Sequence, residues 1–169
     1  MKVRQAVPED LPAVVSLFQE LDRLQRDWRV FTPRPGFYDE VAVKYREAMQ
    51  ADDRLVVVAE ENGDVVGMAY AESRVPSRFS DERALEISGV MVRAGHRGRG
   101  VGRAMVEELA SFATARGVNW IELKSFLPNE TAMEFWRALG FTPRVVQLIA
   151  RADDVLELAG RDPARPEAS

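Results

Sequence analysis

Between residues 90 and 105 an apolar strand pattern, VMV, runs into RAGHRGRGVGRAM and then into a helical pattern. The stretch 93–105 holds four arginines, four glycines and the chain's only histidine, His96. Few backbones accommodate such a junction. Glycine permits tight turns that other residues avoid, and lets a ligand approach the main chain. The start of the following helix presents unpaired N–H groups and about half a positive charge. Arginines add charge and forked donors. Strand, Arg-Gly-Arg-Gly-Val-Gly and helix together describe an anion cradle suited to phosphate or pyrophosphate.

Two common nucleotide loops are excluded. A P-loop needs Gly-Lys-Ser/Thr, and Gly102 is followed by Arg103 and Ala104. A dinucleotide fingerprint counted from Gly98 needs its third glycine at Arg103, and counted from Gly100 at Met105. The net charge of -4 and pI near 5.2 argue against a nucleic-acid binder outside this one basic cluster.

The rest of the chain supplies the context. Residues 2–6 read as a strand, and EDLPAVVSLFQELDRL as an amphipathic helix carrying Leu11, Val14, Val15, Phe18 and Leu21. Pro12 must then fall in its first turn. A loop at 26–36 and a second helix at 37–50 follow. Residues 54–60 are a buried strand, Asn62-Gly63 is a hairpin signal, and 64–73 return. After a polar loop at 74–82 come a strand at 83–92, the glycine-rich run, and a helix at 101–116 capped by Gly117. A strand at 118–125, a helix at 129–139 ending in Gly140 and a last strand at 144–151 complete the order β-α-α-β-β-β-α-β-α-β. That order predicts an α/β fold with a mixed sheet and helices on both faces.

The 169 residues are expected to form one domain, residues 1–151, with a partly disordered tail at 152–169. The absence of cysteine removes thiolate chemistry and zinc-thiolate sites. No metal site is expected. The N-terminus lacks an apolar signal core and no run suffices to span a membrane, so a cytoplasmic protein without a membrane or nucleic-acid partner is expected.

Two segments carry a family resemblance. Val90-Met91-Val92 followed by His96 to Met105 resembles the acetyl-CoA signature of the GNAT N-acetyltransferase superfamily, Arg/Gln-x-x-Gly-x-Gly/Ala, met by Arg97, Gly100 and Gly102. NETAMEFWRALGF, residues 129–141, resembles the family's Asn-x-x-Ala-x-x-Phe-Tyr-x-x-x-Gly-Phe segment. The resemblance covers roughly residues 2–151. It implies a mostly antiparallel central sheet with splayed central strands, and acetyl-CoA as co-substrate. The edge of strand 90–92 (Val90, Met91, Val92) would bind the pantetheine arm. The amides of Arg97, Gly98, Arg99, Gly100, Val101, Gly102 and Arg103 would hold the pyrophosphate. Asn129 would reach the pantetheine or adenosine end, and Leu123 and Lys124 would line the opposite wall. Gly89 is the expected bulge that starts the splay. A homodimer is compatible with the family.

The implied reaction is direct acetyl transfer to a primary amine of a small molecule or peptide. Such an amine has a pKa near 10.4 and must lose a proton to react. Glu86 is the candidate base, placed by strand alternation on one face with Ser88, Val90 and Val92. The N–H of Val92 is the oxyanion donor expected from the family pattern. The family's usual tyrosine is Trp136 here, which packs but cannot act as an acid. Tyr70, Ser88, Ser125 or water are left to protonate the leaving thiolate, or it leaves unaided. His96 reads as a loop residue at the edge of the CoA site, and Asn129 equally as a helix N-cap. Acceptor choice is expected from Trp28, Phe31 and Tyr38 and from Phe79 in the 74–82 loop. A non-catalytic acyl-CoA sensor on the same fold is the alternative reading.

Overall fold

The computed structural model describes residues 1–74 and 81–159. Phe79, expected at the acceptor site, lies outside the described residues. The chain divides into two compact units, residues 1–133 and 134–169.

The first unit is built on an open five-stranded sheet in the order β1 (Lys2–Gln5), β2 (Arg54–Glu61), β3 (Asp64–Arg74), β4 (Ala84–Val92), β5 (Trp120–Leu123). The first three pairings are antiparallel and β4–β5 is parallel. Asn62 and Gly63 take φ of 55° and 88°, the two left-handed residues that close a two-residue hairpin between β2 and β3.

Helices cover both faces. On one, α1 (Leu11–Leu24) and α2 (Phe37–Ala48) bury Val14, Leu17, Val41 and Tyr45 against Val56, Val58, Met68, Tyr70 and Met91. Pro12 lies in the first turn of α1, which follows a 3-10 turn over Pro8–Asp10. On the other, α3 (Val101–Ala115) buries Val101, Met105, Leu109 and Ala113. Met105 stands 3.1 Å from where a side chain on Gly67 would begin, which fixes α3 on the face of Ala59, Ala69 and Ile87. Alternation along β2 and β3 thus feeds two cores from one pair of strands.

Helix ends follow the glycines. Gly117 (φ 69°) closes α3, with Val118 N–H donating to Ala113 C=O at 3.0 Å. In the second unit Gly140 (φ 90°) does the same after α4 (Glu130–Ala138), with Phe141 N–H donating to Trp136 C=O at 3.1 Å. The strand expected at 144–151 is not formed. Its apolar residues are present, yet Val145 and Leu148 are each 89% exposed, and a run without a ladder among the described residues has nothing to hold it as a strand. A helix, α5 (Ala152–Ala159), opens the segment expected as tail, and residues 160–169 lie outside the described ones.

Candidate active site

β4 changes partners halfway along. From Ala84 to Ile87 it pairs with β5, Ile87 against Leu123 being the last pair. The β3–β4 register shifts at the next residue: Ala71 faces Ile87, but Tyr70 faces Gly89. Ser88 is therefore the extra residue of a bulge beside Gly89, the glycine at which the sequence predicts one. A bulge bends the strand and sharpens its twist, and here it sits where β4 leaves β5. Beyond it, Gly89 to Val92 keep β3 on one side and, among the described residues, have no strand on the other.

The register also fixes what that open edge offers. Arg93 N–H donates to Val66 C=O across to β3 at 2.9 Å. Antiparallel ladders alternate, so Gly89 and Met91 turn their N–H and C=O groups to β3, while Val90 and Val92 turn theirs into the gap. Met91, expected along the pantetheine edge, thus has its main chain occupied by β3. The Val92 C=O is already capped, by Arg97 Nε at 2.7 Å. The guanidinium of Arg97 thus has a role that the cradle motif, which uses only backbone amides, does not announce.

The open edge leads into the cradle. A 3-10 turn over Ala94–His96 takes up the Arg97 N–H, which donates to Ala94 C=O at 3.3 Å. The amides left for an anion therefore begin at Gly98. Gly98 and Gly100 hold φ of 72° and 82°, and a Cβ at either would meet nothing within 4 Å. The first α3 bond runs from Ala104 N–H to Gly100 C=O at 3.0 Å. The amides of Val101, Gly102 and Arg103 precede it and find no acceptor in the helix. Open space, left-handed glycines and a helix start are what a pyrophosphate group requires.

Glu86 lies in the doubly paired half of β4, only 7% exposed. The expectation that it shares a face with Ser88, Val90 and Val92 is corrected by the bulge. One inserted residue reverses side-chain parity, so Glu86 lies with Gly89 and Met91 on the α1–α2 face. There it pairs in register with Glu72 of β3 and Glu122 of β5, a row of three carboxylates across three strands. Like charges directly opposite repel, and cations surround this row. Arg74 Nε stands against Glu86 Oε2 and 4.0 Å from Glu122, Lys124 Nζ is 3.9 Å from Glu86, and Lys44 Nζ is 3.1 Å from Glu72. Arg74 meets Glu86 as an ion pair without hydrogen-bond geometry, leaving Oε2 buried and without a hydrogen bond among the described residues.

Tyr70 is buried beside this row. Its hydroxyl donates to Glu72 Oε2 at 2.8 Å, and its ring packs edge-on against Tyr45. Burial foremost, then the Glu72 carboxylate, push its pKa far above the ordinary tyrosine value. A phenol so held is a poor acid, which speaks against Tyr70 as the proton donor to a leaving thiolate. Burial pushes Glu72 up, but the bonds from Tyr70 and Lys44 outweigh it, and its pKa falls below the usual carboxylate range.

The remaining expected residues scatter. Trp28 ends the 3-10 turn Arg26–Trp28 after α1, and its ring lies 6.2 Å from that of Phe126. Phe126 follows β5 by three residues, past the last β4–β5 pair, while Leu21 of α1 sits over Gly89 of β4. The ring pair joins the turn after α1 to the loop after β5, and nothing in the sequence around Phe126 signals it. Tyr38 is tied down, its hydroxyl donating to Asp22 at 2.8 Å beside Arg29. Phe31 is exposed. Asn129 caps α4, its Oδ1 accepting from Ala132 N–H at 3.2 Å. Within the second unit, Trp136 packs edge-on against Phe135 and Phe141.

Comparison with known proteins agrees with this geometry. The chain is 30% identical over 102 residues to an uncharacterized N-acetyltransferase of Methanocaldococcus jannaschii, covering 60% of this chain and 45% of that protein. It is 33% identical over 95 residues to the streptothricin acetyltransferase of Streptomyces lavendulae, covering 56% and 48%. The chain thus spans about half the length of these curated relatives. Among solved structures, a point mutant of the BH1408 protein of Bacillus halodurans superposes with a TM-score of 0.78 at 21% identity, covering 89% of this chain and 99% of that one. An aminoglycoside N-acetyltransferase in complex with CoA superposes with a TM-score of 0.72 at 22% identity, covering 89% and 95%. These likenesses show a shared fold. No helix among the described residues is long and apolar enough to cross a membrane. Residues 18–141 match the acetyltransferase (GNAT) family, and the chain belongs to it.

Proposed function

We propose that the protein transfers an acetyl group from acetyl-CoA to the primary amine of a small, cationic molecule. The observation that carries this reading is the unpartnered edge of β4 at Val90 and Val92, which opens past the last β4–β5 pair and runs straight into the glycine cradle. An amide-bearing arm ending in a pyrophosphate fits that path. The N–H of Val92, next to the cradle, and the C=O of Val90 take the arm as an added strand. The amides from Gly98 to Arg103 take the phosphates. Acetyl-CoA supplies the activated acetyl group.

The acceptor enters on the α1 side. A protonated amine is drawn to the row Glu72, Glu86 and Glu122, whose present partners Arg74 and Lys124 are half and mostly exposed and free to swing away. Glu86, the most buried of the three, accepts the amine's proton, directly or through water. The neutral amine attacks the thioester carbonyl, and the Val90 N–H, aimed into the gap and two residues nearer Glu86 than the Val92 N–H that the sequence suggests, donates to the oxygen as negative charge builds there. The thiolate leaves unaided, its pKa being only about 8.5, and the nitrogen of the new amide gives its remaining extra proton to water. The Trp28–Phe126 ring pair, between the turn after α1 and the loop after β5, offers the acceptor an apolar contact. Small-molecule acceptors accord with the named streptothricin and aminoglycoside acetyltransferases among the similar proteins.

The test is amine-dependent thiol release from acetyl-CoA over polyamines, aminoglycosides, amino acids and peptide N-termini. Cationic small molecules are expected to turn over. Glu86→Gln is expected to lower kcat by about 10²- to 10⁴-fold while calorimetry shows CoA binding unchanged. A protein that binds CoA but releases thiol with no amine is a sensor. Unaltered turnover in Glu86→Gln removes Glu86 as the base.

A further inference from the structure

The cradle has a support outside the machinery described so far. Glu61 is the last residue of β2, against the Asn62-Gly63 turn, so its carboxylate is carried on a short, stiff hairpin. Its Oε2 lies 2.7 Å from His96 Nδ1, a separation that calls for a proton on that nitrogen and fixes the ring's orientation. Arg99 forks onto the same carboxylate, 3.0 Å to Oε1 and 3.3 Å to Oε2. His96 ends the 3-10 turn that enters the cradle, and Arg99 lies between the left-handed Gly98 and Gly100.

We infer that Glu61 is a positioning residue for the cradle, holding the loop between β4 and α3 through His96 and Arg99 in the shape that receives the pyrophosphate. The inference rests on the acetyl-CoA reading above. Its physical reason is the loop's own composition. Gly98 and Gly100 lend it the left-handed turns but also the freedom to leave them. The loop's inner end is tethered by Arg97 to the Val92 C=O. Glu61 tethers it from outside, at two points on either side of Gly98, from a different part of the sheet. The bond from His96, foremost, and the charge of Arg99 hold the Glu61 carboxyl below the usual carboxylate range, so it is charged at neutral pH.

A second effect has the opposite sign. Glu61 is a negative charge near the expected phosphates and competes with them for Arg99. The tether is expected to win, because His96 and Arg99 both bond to it and so hold the loop on either side of Gly98. Glu61→Ala should therefore raise KM for acetyl-CoA by about three- to tenfold, with kcat within about twofold, since Glu61 touches neither thioester nor amine. Glu61→Gln, which keeps an acceptor oxygen, should give a smaller rise and serves where the alanine variant does not fold. His96→Ala should add little on top of Glu61→Ala.

Kinetics with acetyl-CoA and the best amine, alongside calorimetry with CoA alone, decide the matter. Tighter CoA binding in Glu61→Ala would show that the charge merely competes for Arg99, and would overturn the inference. So would an unchanged KM, or a fall in kcat at constant KM. Wild-type protein that binds no CoA would instead bring down the acetyl-CoA reading itself, which separates the two failures.

Discussion

Along β4, Ala84–Ile87 are held on both sides, by β3 and β5, whereas Val90–Val92 are held by β3 alone among the described residues. The first half buries Leu85, Glu86 and Ile87 and sets a carboxylate row in register. The second half offers bare main-chain groups and leads into a loop of glycines. One strand thus carries both side-chain chemistry, fixed by register, and backbone recognition, fixed by a missing neighbour. What separates them is a single residue, Ser88. The site depends less on which residues β4 contains than on where its ladder breaks.

Deleting Ser88 should erase the difference between the halves. Without it both halves of β4 keep their β3 partners in one continuous register, and no side chain changes face. The deletion removes only the bend. β4 then runs straight on past Leu123, the last residue of β5, and the chain that follows β5 closes on it. CoA binding and turnover are expected to fall below detection, while the thermal midpoint is held within about 4 °C, the shift of roughly 1 kcal/mol in a chain of this size. A deletion protein that binds CoA as the parent does would show that the bulge does not open the edge. A protein that unfolds would show that Ser88 is needed for the sheet.

Gly100→Ala acts on the second half alone and has a smaller expected effect. A Cβ at this position clashes with nothing, so the penalty is the left-handed φ of 82°. That costs about 1–2 kcal/mol for an L-residue, or about five- to thirtyfold in an equilibrium. The loss should appear in KM for acetyl-CoA, with kcat and the amine's KM unmoved. An effect on kcat of the same size would mean that the loop also shapes the reacting centre.

The two halves differ in how far the sequence discloses them. The cradle is local: Gly98, Gly100, the α3 start and the caps at Gly117 and Gly140 are all readable from neighbours a few residues apart. So is the Asn62-Gly63 hairpin. The carboxylate row is not local. Alternation counts residues, and a bulge adds one to the count; Gly89 marks the bulge, but alternation carried straight through it assigns Glu86 to the face of Val90 and Val92. Its neighbours Glu72 and Glu122 lie 14 residues before and 36 after it and meet it only through register. Phe126 escapes a sequence reading for the same reason, since only the path of the loop after α1 brings Trp28 to it. At 144–151 the strand pattern is legible, but pattern alone does not supply a partner.

The smallest expected effect concerns Tyr70, at the edge of the carboxylate row. Its hydroxyl and Lys44 are the two groups whose bonds draw Glu72 below the ordinary carboxylate range, against the upward push of burial. A carboxylate with a lowered native pKa contributes stability above its unfolded value, and that contribution is lost as pH falls through the native one. Tyr70→Phe removes one of the two bonds, and the pKa of Glu72 rises. At pH 7 the variant should be less stable by about 1 kcal/mol, and the difference should narrow as the pH drops below about 4, where Glu72 is protonated in the unfolded chain. Urea melts of both proteins at neutral and acid pH measure it. An equal difference at both would assign the loss to packing against Tyr45 rather than to Glu72. The same variant settles the hydroxyl's chemical role. A buried phenol committed to Glu72 leaves kcat within about twofold, whereas an acid for the departing thiolate would take about 10²-fold or more with it.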